Sequence, residues 1–377
     1  MADSPRLYRE LEDYIIDCIP QSDVKSLQSC SLVCHDWRPR CQHHLFNKTM
    51  TFIRKYPGET CLERLKRFLE TAASSHTILH AVKGLIISHT FLYEHLELPF
   101  PNLQSLEIIQ FEDSSAVELT DSLLTKLKSN HLRQLTLNGM KLANQQFLLS
   151  LFQTVGALSS STPSRLDYLA FYHCQFRWDD GQDPDPTTLH FLNLTLSLSS
   201  PSNFAPFLRQ FAFRGLRGLH IHRGFQQPYI IVNQYREHLH SISFHQFRYR
   251  SVETGSEEHQ LLNTFKEIRF AEMHNLQELN LRHSHTSSSI VQHIISEVTR
   301  SPAVRLKRFS VQLDYNGTSR YAPTDLLLAN FAIAKADSLE QMDIYTLPTM
   351  HDEVLKMVLK KAFSLAVVRF VRLPGKS

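Results

Sequence analysis

The stretch Leu132-Arg-Gln-Leu-Thr-Leu-Asn138 sets three leucines at intervals of three and then two residues. The last two alternate with Gln134, Thr136 and Asn138, so in an extended chain one side is apolar and the other polar. The same spacing recurs at Val82, Leu85, Ile87; Leu103, Leu106, Ile108; Leu166, Leu169, Phe171; Leu189, Leu192, Leu194; and Leu216, Leu219, Ile221. It continues at Leu239, Ile242, Phe244; Leu276, Leu279, Leu281; Leu306, Phe309, Val311; and Leu339, Met342, Ile344. These are ten units whose starts lie 21 to 37 residues apart, and a last short strand is expected at Val367 to Val371.

One such strand covers one side of a core and needs neighbours. Stacking the units makes a parallel sheet, so the intervening segments must carry the chain back, chiefly as helices. Asn144 precedes Phe147, Leu148, Leu151, Phe152 and Val155; Ser287 to Ser289 precede Ile290, Ile294 and Val298; Thr324 precedes Leu327, Leu328 and Phe331. Each reads as a capped helix with an apolar stripe, and Val354, Leu355, Val358 and Leu359 repeat the pattern. The polar stretches 179–186 and 248–259 read as loops.

This organisation resembles the leucine-rich-repeat solenoid, in which parallel strands line a concave face and helices the convex one. Unit length varies, and the asparagine that closes the motif in many family members stands in few units, Asn138 among them, so the resemblance implies an irregular horseshoe. The residues flanking the second and third apolar positions would share the concave face. They are Gln134, Thr136 and Asn138; Tyr168 and Tyr172; Phe191 and Asn193; His220 and His222; His245; Glu278, Asn280 and Arg282; Arg308 and Gln312; and Asp343 and Tyr345. Tyrosine, histidine and arginine recognise proteins well, so Tyr168, Tyr172, His220, His222, His245, Arg282, Arg308 and Tyr345 are the target-binding candidates.

The N-terminal residues carry a different pattern. Leu7, Leu11, Ile15 and Ile19 recur every fourth residue, and Leu27, Cys30, Cys34 and Trp37 form a second stripe within which Cys30 to Trp37 reads as a docking helix. Leu7 to Leu11, LYREL, with Ile15, Ile16 and Ile19, Asp23 opening the next helix, and Val33, Cys34 and Trp37, resembles an F-box. Tyr8 stands where that family usually has proline. The resemblance implies a module that docks on a Skp-type adaptor and, through it, a cullin, with Leu7, Leu11, Ile15, Ile16, Leu27, Leu32, Val33 and Trp37 filling apolar grooves on the partner. The expected division is an F-box-like helical module over 1–54, a linking helix over 55–80, and a repeat region over 81–377. The fold class is α/β.

Composition narrows the function classes. The chain has 377 residues, 42% of them hydrophobic, and a net charge of +3 from 40 basic and 37 acidic residues, which gives no electrostatic case for nucleic acid or membrane. No apolar run approaches a bilayer span, and MADSPRLYRE lacks the pattern of a secretory signal, so cytoplasm or nucleus is expected. Cys30, Cys34, Cys41, His43 and His44 have zinc-compatible chemistry without the paired-ligand spacing of common zinc modules. His220 with His222 and His283 with His285 lack an evident carboxylate partner, and the acidic run 179–186 has His190 where a calcium loop needs glutamate. Phosphate-binding glycine loops and a nucleophile elbow are absent from the sequence, so neither a cofactor nor catalysis is expected. A helix-turn-helix reading of Arg38, Arg40, His43, His44, Lys48, Arg54 and Lys55 is opposed by the apolar Leu32, Val33 and Trp37 on the candidate helix. The reading is a substrate-recognition adaptor of an SCF-type ubiquitin ligase, with a repeat-based protein-binding scaffold outside that pathway as the alternative.

Overall fold

The alternating apolar pairs lie in parallel strands, in matching register for all units but the fifth. The computed structural model describes residues 9–53, 59–88, 98–110, 132–139, 141–142, 145–176, 186–199, 204–222, 228–245, 262–281, 288–313, 322–346 and 368–372. It divides into two compact units, Met1–Leu166 and Asp167–Ser377.

In the first unit, strands β1 (Thr49–Phe52), β2 (Gly84–Ser88), β3 (Ser105–Ile109) and β4 (Gln134–Asn138) lie side by side in chain order. Leu85 is level with Leu106, and Leu106 with Leu135; Ile87, Ile108 and Leu137 form the next row. All six are at most 1% exposed. In the second unit, β5 (Tyr168–Tyr172), β6 (Thr187–Ser199), β7 (Phe211–Ile221), β8 (Ser241–Phe244), β9 (Glu278–Leu281), β10 (Arg308–Leu313), β11 (Gln341–Thr346) and β12 (Val368–Arg372) do the same. One row there runs through Leu169, Leu196, Leu219, Ile242, Leu279, Phe309 and Met342. Each such burial contributes about 1.5–3 kcal/mol.

Register is set just before each strand. The Lys83 carbonyl accepts the N–H groups of Gln104 and Ser105 (2.8 and 2.9 Å), and the Gln104 carbonyl those of Arg133 and Gln134 (2.7 and 2.8 Å). In the second unit the carbonyls of His240, Gln277 and Lys307 each grip two N–H groups of the following unit in the same way. Asparagine side chains reinforce this fork. Asn102 Nδ2 donates to the His80 carbonyl (2.9 Å) and Asn275 Nδ2 to the Glu237 carbonyl (2.6 Å), at equivalent places in their repeats.

Helices supply the other side of each core. Leu148, Leu151 and Phe152 are buried on α6 (Gln145–Thr154) in the first unit, after α4 (Cys61–Ala73) and α5 (His76–Ala81). In the second unit α7 (Phe204–Gln210), α8 (Pro228–Gln234), α9 (Ser288–Arg300) and α10 (Ala322–Ala334) lie between strands in sequence. Phe207 packs on Phe171 (5.6 Å between ring centres), Phe265 on Phe244 (5.0 Å) and Phe331 on Phe309 (4.8 Å). Lys335, just past α10, is buried with its ammonium donating to the carbonyls of Ser301 and Val304, tying two successive turns together. Burial pushes that ammonium's pKa down, and the two carbonyl acceptors replace its lost water.

Several expectations need correction. The segment 55–80 holds two helices, and α4 starts on a capping box in which Thr60 and Glu63 exchange hydrogen bonds. Strand β1, assigned in sequence to the N-terminal module, pairs with β2 and extends the first sheet. The unit read at Leu189, Leu192 and Leu194 is out of register, because the residues level with Leu169 and Phe171 are Leu196 and Leu198. Leu192 is 58% exposed, and Phe191, expected to face outward, is buried and stacked on Phe213 (6.2 Å). Thirteen residues of alternating polarity offered two registers, and the pairing of β6 to both neighbours selects the later one. Asn144 and the stretches 351–367 and 248–259 lie outside the described residues.

The slip is accommodated by an irregular stretch in which β6 and β7 change register between His190 and Thr195. Gly215 sits there at φ +84°, and a Cβ on it would lie 2.0 Å from the Phe191 carbonyl oxygen. Gly156 has a similar φ, +74°, with nothing within 4 Å of its would-be Cβ. Gly156→Ala is expected to cost about 1 kcal/mol for backbone conformation alone, and Gly215→Ala distinctly more because the methyl group has no room. Denaturant titration of the two variants checks this, and equal costs would show that the backbone at Gly215 yields freely.

Candidate functional site

The N-terminal module is three helices around a small core. Helices α1 (Arg9–Asp17), α2 (Val24–Val33) and α3 (Arg38–Phe46) bury Ile16, Leu27 and Cys41, with Ile19, Cys30, Trp37 and Leu45 packed against them. Asp23 caps α2 by accepting the Ser26 N–H (3.1 Å). Asp17 bolts α1 to α3: it accepts from Arg40 Nε (2.7 Å) and lies 2.7 Å from His44 Nε2. The Arg40 bond first, and His44 second, hold its carboxyl down to about 2.

The stretch Cys30 to Trp37 is not one helix. It ends α2 at Val33, passes through an extended Cys34 (φ −151°, ψ 161°) and enters α3 at Trp37. The eight adaptor candidates therefore separate. Ile16 and Leu27 are fully buried and hold the module together, which removes them from any contact surface, and Trp37 is half-buried against the same core. Leu11 (48% exposed), Ile15 (44%), Leu32 (86%) and Val33 (66%) remain open to solvent, joined by Tyr14, which the apolar periodicity passed over. Leu7 lies outside the described residues.

Helix α3 also faces its own unit. Ser75 Oγ donates to Gln42 Oε1 (3.3 Å), and Phe46 packs on Phe68 (5.9 Å), which packs in turn on Phe52 and Phe100. The thiol and imidazole groups here are not arranged for metal: Cys41 is sealed in the core, where burial pushes its thiol pKa up. Among the described residues no group of three or more histidine, cysteine or acidic side chains is placed to hold an ion.

In the second unit, five of the eight target-binding candidates come together on the sheet face opposite the helices. Tyr168 and Tyr172 touch through their hydroxyls (2.7 Å), Tyr172 reaches Ser197 Oγ (3.0 Å), and His222 Nε2 lies 3.1 Å from the same oxygen. The rings of His222 and His245 stack at 4.7 Å, and His220 lies edge-on to His245 (5.5 Å) and Tyr168 (6.0 Å). The other three do not join them. Arg308 is exposed and paired with Glu278 (3.2 Å), Tyr345 is buried, and Arg282 lies outside the described residues.

Ser197 is the residue the sequence reading missed, because the slipped register placed it beyond the strand motif. Alternation through Leu194, Leu196 and Leu198 was the signal for it. Its hydroxyl is fully buried beneath the rings, so it orients Tyr172 and His222 and is closed to attack on a substrate. Burial lowers the pKa of His220; burial, His220 and His173 push that of His222 down to about 4. Both shifts favour the uncharged imidazole, and the cluster is a polar aromatic surface of hydroxyl and imidazole groups.

The depressed His222 value has a definite sign. Between 6.5 and about 4 the unfolded chain takes up a proton that the folded ring refuses, so this contribution to stability is complete above pH 6.5 and is lost as pH falls through about 4. Its size is on the order of 2 kcal/mol after allowance for partial exposure. His222→Gln is expected to flatten the stability curve between pH 7 and pH 4 in denaturant titrations, and an unchanged slope would remove His222 as its source.

Comparison with family models, with curated proteins and with solved structures found no match to this chain.

Proposed function

We propose that this protein is a substrate-recognition adaptor of an SCF-type ubiquitin ligase, docking on a Skp-type protein through its N-terminal helices and holding a target on its repeat region. One observation carries the reading: Leu32 and Val33 are 86% and 66% exposed at the end of α2, although the same module closes its own core over Ile16, Leu27 and Cys41. A cap whose sole role was to cover a sheet would turn those side chains inward. Leu11, Tyr14 and Ile15 on α1 add to the exposed apolar surface, which marks sites of protein association. The tyrosine–histidine cluster supplies a second recognition surface of suitable chemistry, since these side chains give contact area and hydrogen bonds at low entropic cost. In such a receptor the ubiquitin chemistry belongs to other subunits, and this chain acts by raising the local concentration of the target.

A second reading, a repeat-based binding scaffold with the helices as an end cap, is favoured by the contacts of α3 with Phe68 and Ser75. Co-expression with a Skp-type adaptor separates the two. The expected outcome is a one-to-one complex on size exclusion, lost in Leu32→Asp and weakened at least tenfold in Val33→Asp, with thermal unfolding of the chain unchanged. A monomer that ignores the adaptor would establish the scaffold reading. Trp37→Ala is a poor probe, because Trp37 leans on the core and its loss would unsettle the module itself.

A further inference from the structure

The irregular pairing of β6 and β7 creates a cleft of about 530 Å3 in the second unit. In a regular strand, residues three apart point to opposite faces. Here the core-facing residues of β7 run Phe211, Phe213, Leu216, Leu219, so the alternation breaks at Gly215 and again at Arg217–Gly218, and both Arg214 and Arg217 open onto the same cleft. Both guanidinium groups are exposed, and neither makes an ion pair or side-chain hydrogen bond with any described residue. His238 and Gln234 are exposed members of the lining, and Leu216 and Tyr235 lie buried beneath it. Tyr235 is committed elsewhere: its hydroxyl accepts the Phe213 N–H at 3.0 Å, which fixes the floor.

Two arginines that open onto one cleft without a partner among the described residues favour an anion between them, and the guanidinium fork matches the paired oxygens of a carboxylate or phosphate. The volume exceeds that of a simple anion and admits a side chain with its neighbouring residues. We infer that this cleft is an oxyanion site for an acidic peptide segment, with Arg214 and Arg217 clamping the charged group and the exposed Gln234 and His238 flanking the adjoining chain. The inference rests on the reading of the repeat region as a target receptor and assigns the target an acidic character at one position. It places a charged contact apart from the tyrosine–histidine cluster, so a target held at both would be selected by two different chemistries.

The test uses the full chain and three fluorescein-labelled peptides of alanine and glycine carrying, at the centre, two glutamates, one phosphoserine, or two glutamines. Fluorescence polarisation is expected to show the glutamate and phosphoserine peptides binding at least tenfold more tightly than the glutamine peptide, with the preference shrinking as salt rises. Which acidic peptide binds more tightly identifies carboxylate or phosphate as the natural group. Arg214→Ala combined with Arg217→Ala should remove the tenfold preference, whereas Arg209→Ala, exposed on α7 outside the cleft, should leave it intact. Thermal unfolding of each variant verifies that the fold is retained. Equal binding of all three peptides, absence of binding, or full binding by the double variant would overturn the proposal. Competition by inorganic phosphate at the peptide's own affinity would make the ligand a free anion and overturn the peptide assignment. Adaptor co-purification is scored separately, so a chain that binds acidic peptide and ignores the adaptor removes the ligase reading and leaves this site standing.

Discussion

In five repeats a single backbone carbonyl accepts two N–H groups from the next. Lys83 holds Gln104 and Ser105; His240 holds Gln277 and Glu278; Lys307 holds Glu340 and Gln341. A slip of one residue at this fork would turn every following side chain to the opposite face. Once it is made, the two apolar residues that follow must fall level with those of the neighbour, as Ile242 does with Leu279. The stretches between one strand and the next fork vary in length, so repeat starts lie 21 to 37 residues apart while the strand rows stay in line.

The same register decides the chemistry of the other sheet face. Ser197, His220, Ser243, Asn280, Ser310 and Asp343 occupy one row across six strands of the second unit. Five of the six are uncharged at neutral pH, and the row reaches a carboxylate only at Asp343. A surface of this kind offers hydrogen bonds and aromatic area, with little long-range field to steer a partner. Two further charges lie where the strand pattern fails: the β6/β7 irregularity brings Arg214 and Arg217 into one cleft. Regular pairing builds the hydrogen-bonding row, and its interruption brings the two arginines together.

The periodic elements were legible because their spacing has a direct physical meaning. An apolar residue three positions before an alternating pair describes a turn into a buried strand, and Leu276, Leu279 and Leu281 are all buried as that predicts. The fifth repeat failed for the same reason that the others succeeded. Residues 187–199 alternate throughout, and the position three before Leu196 is Asn193, so the template found a better match in the wrong place. Ser197 was lost with it. The arginine pair was not legible at all, since the break in alternation at Gly215 exists only through the pairing of β7 with β6. In the N-terminal module the stripe identified apolar residues without saying which were turned inward, because Ile15 and Ile16 are adjacent and chemically identical. Only packing separates the buried Ile16 from the exposed Ile15.

That separation matters for how so small a module can exist. Three fully buried side chains and four partly buried ones close too little apolar area to hold three helices alone. The shortfall is met on one side by the Asp17 bridge to Arg40 and His44, and on another by α3 leaning on Phe68 and Ser75 of its own unit. Internal anchoring and apolar exposure fall to different helices: α3 is anchored to the first unit, while α1 and the end of α2 are left with exposed leucine, isoleucine, valine and tyrosine. Because α3 fixes the module through Trp37 and Cys41, the apolar side chains on α1 and α2 are held at defined positions before any partner arrives. Under the adaptor reading, such a preorganised surface would bind without the entropic cost of ordering its helices first.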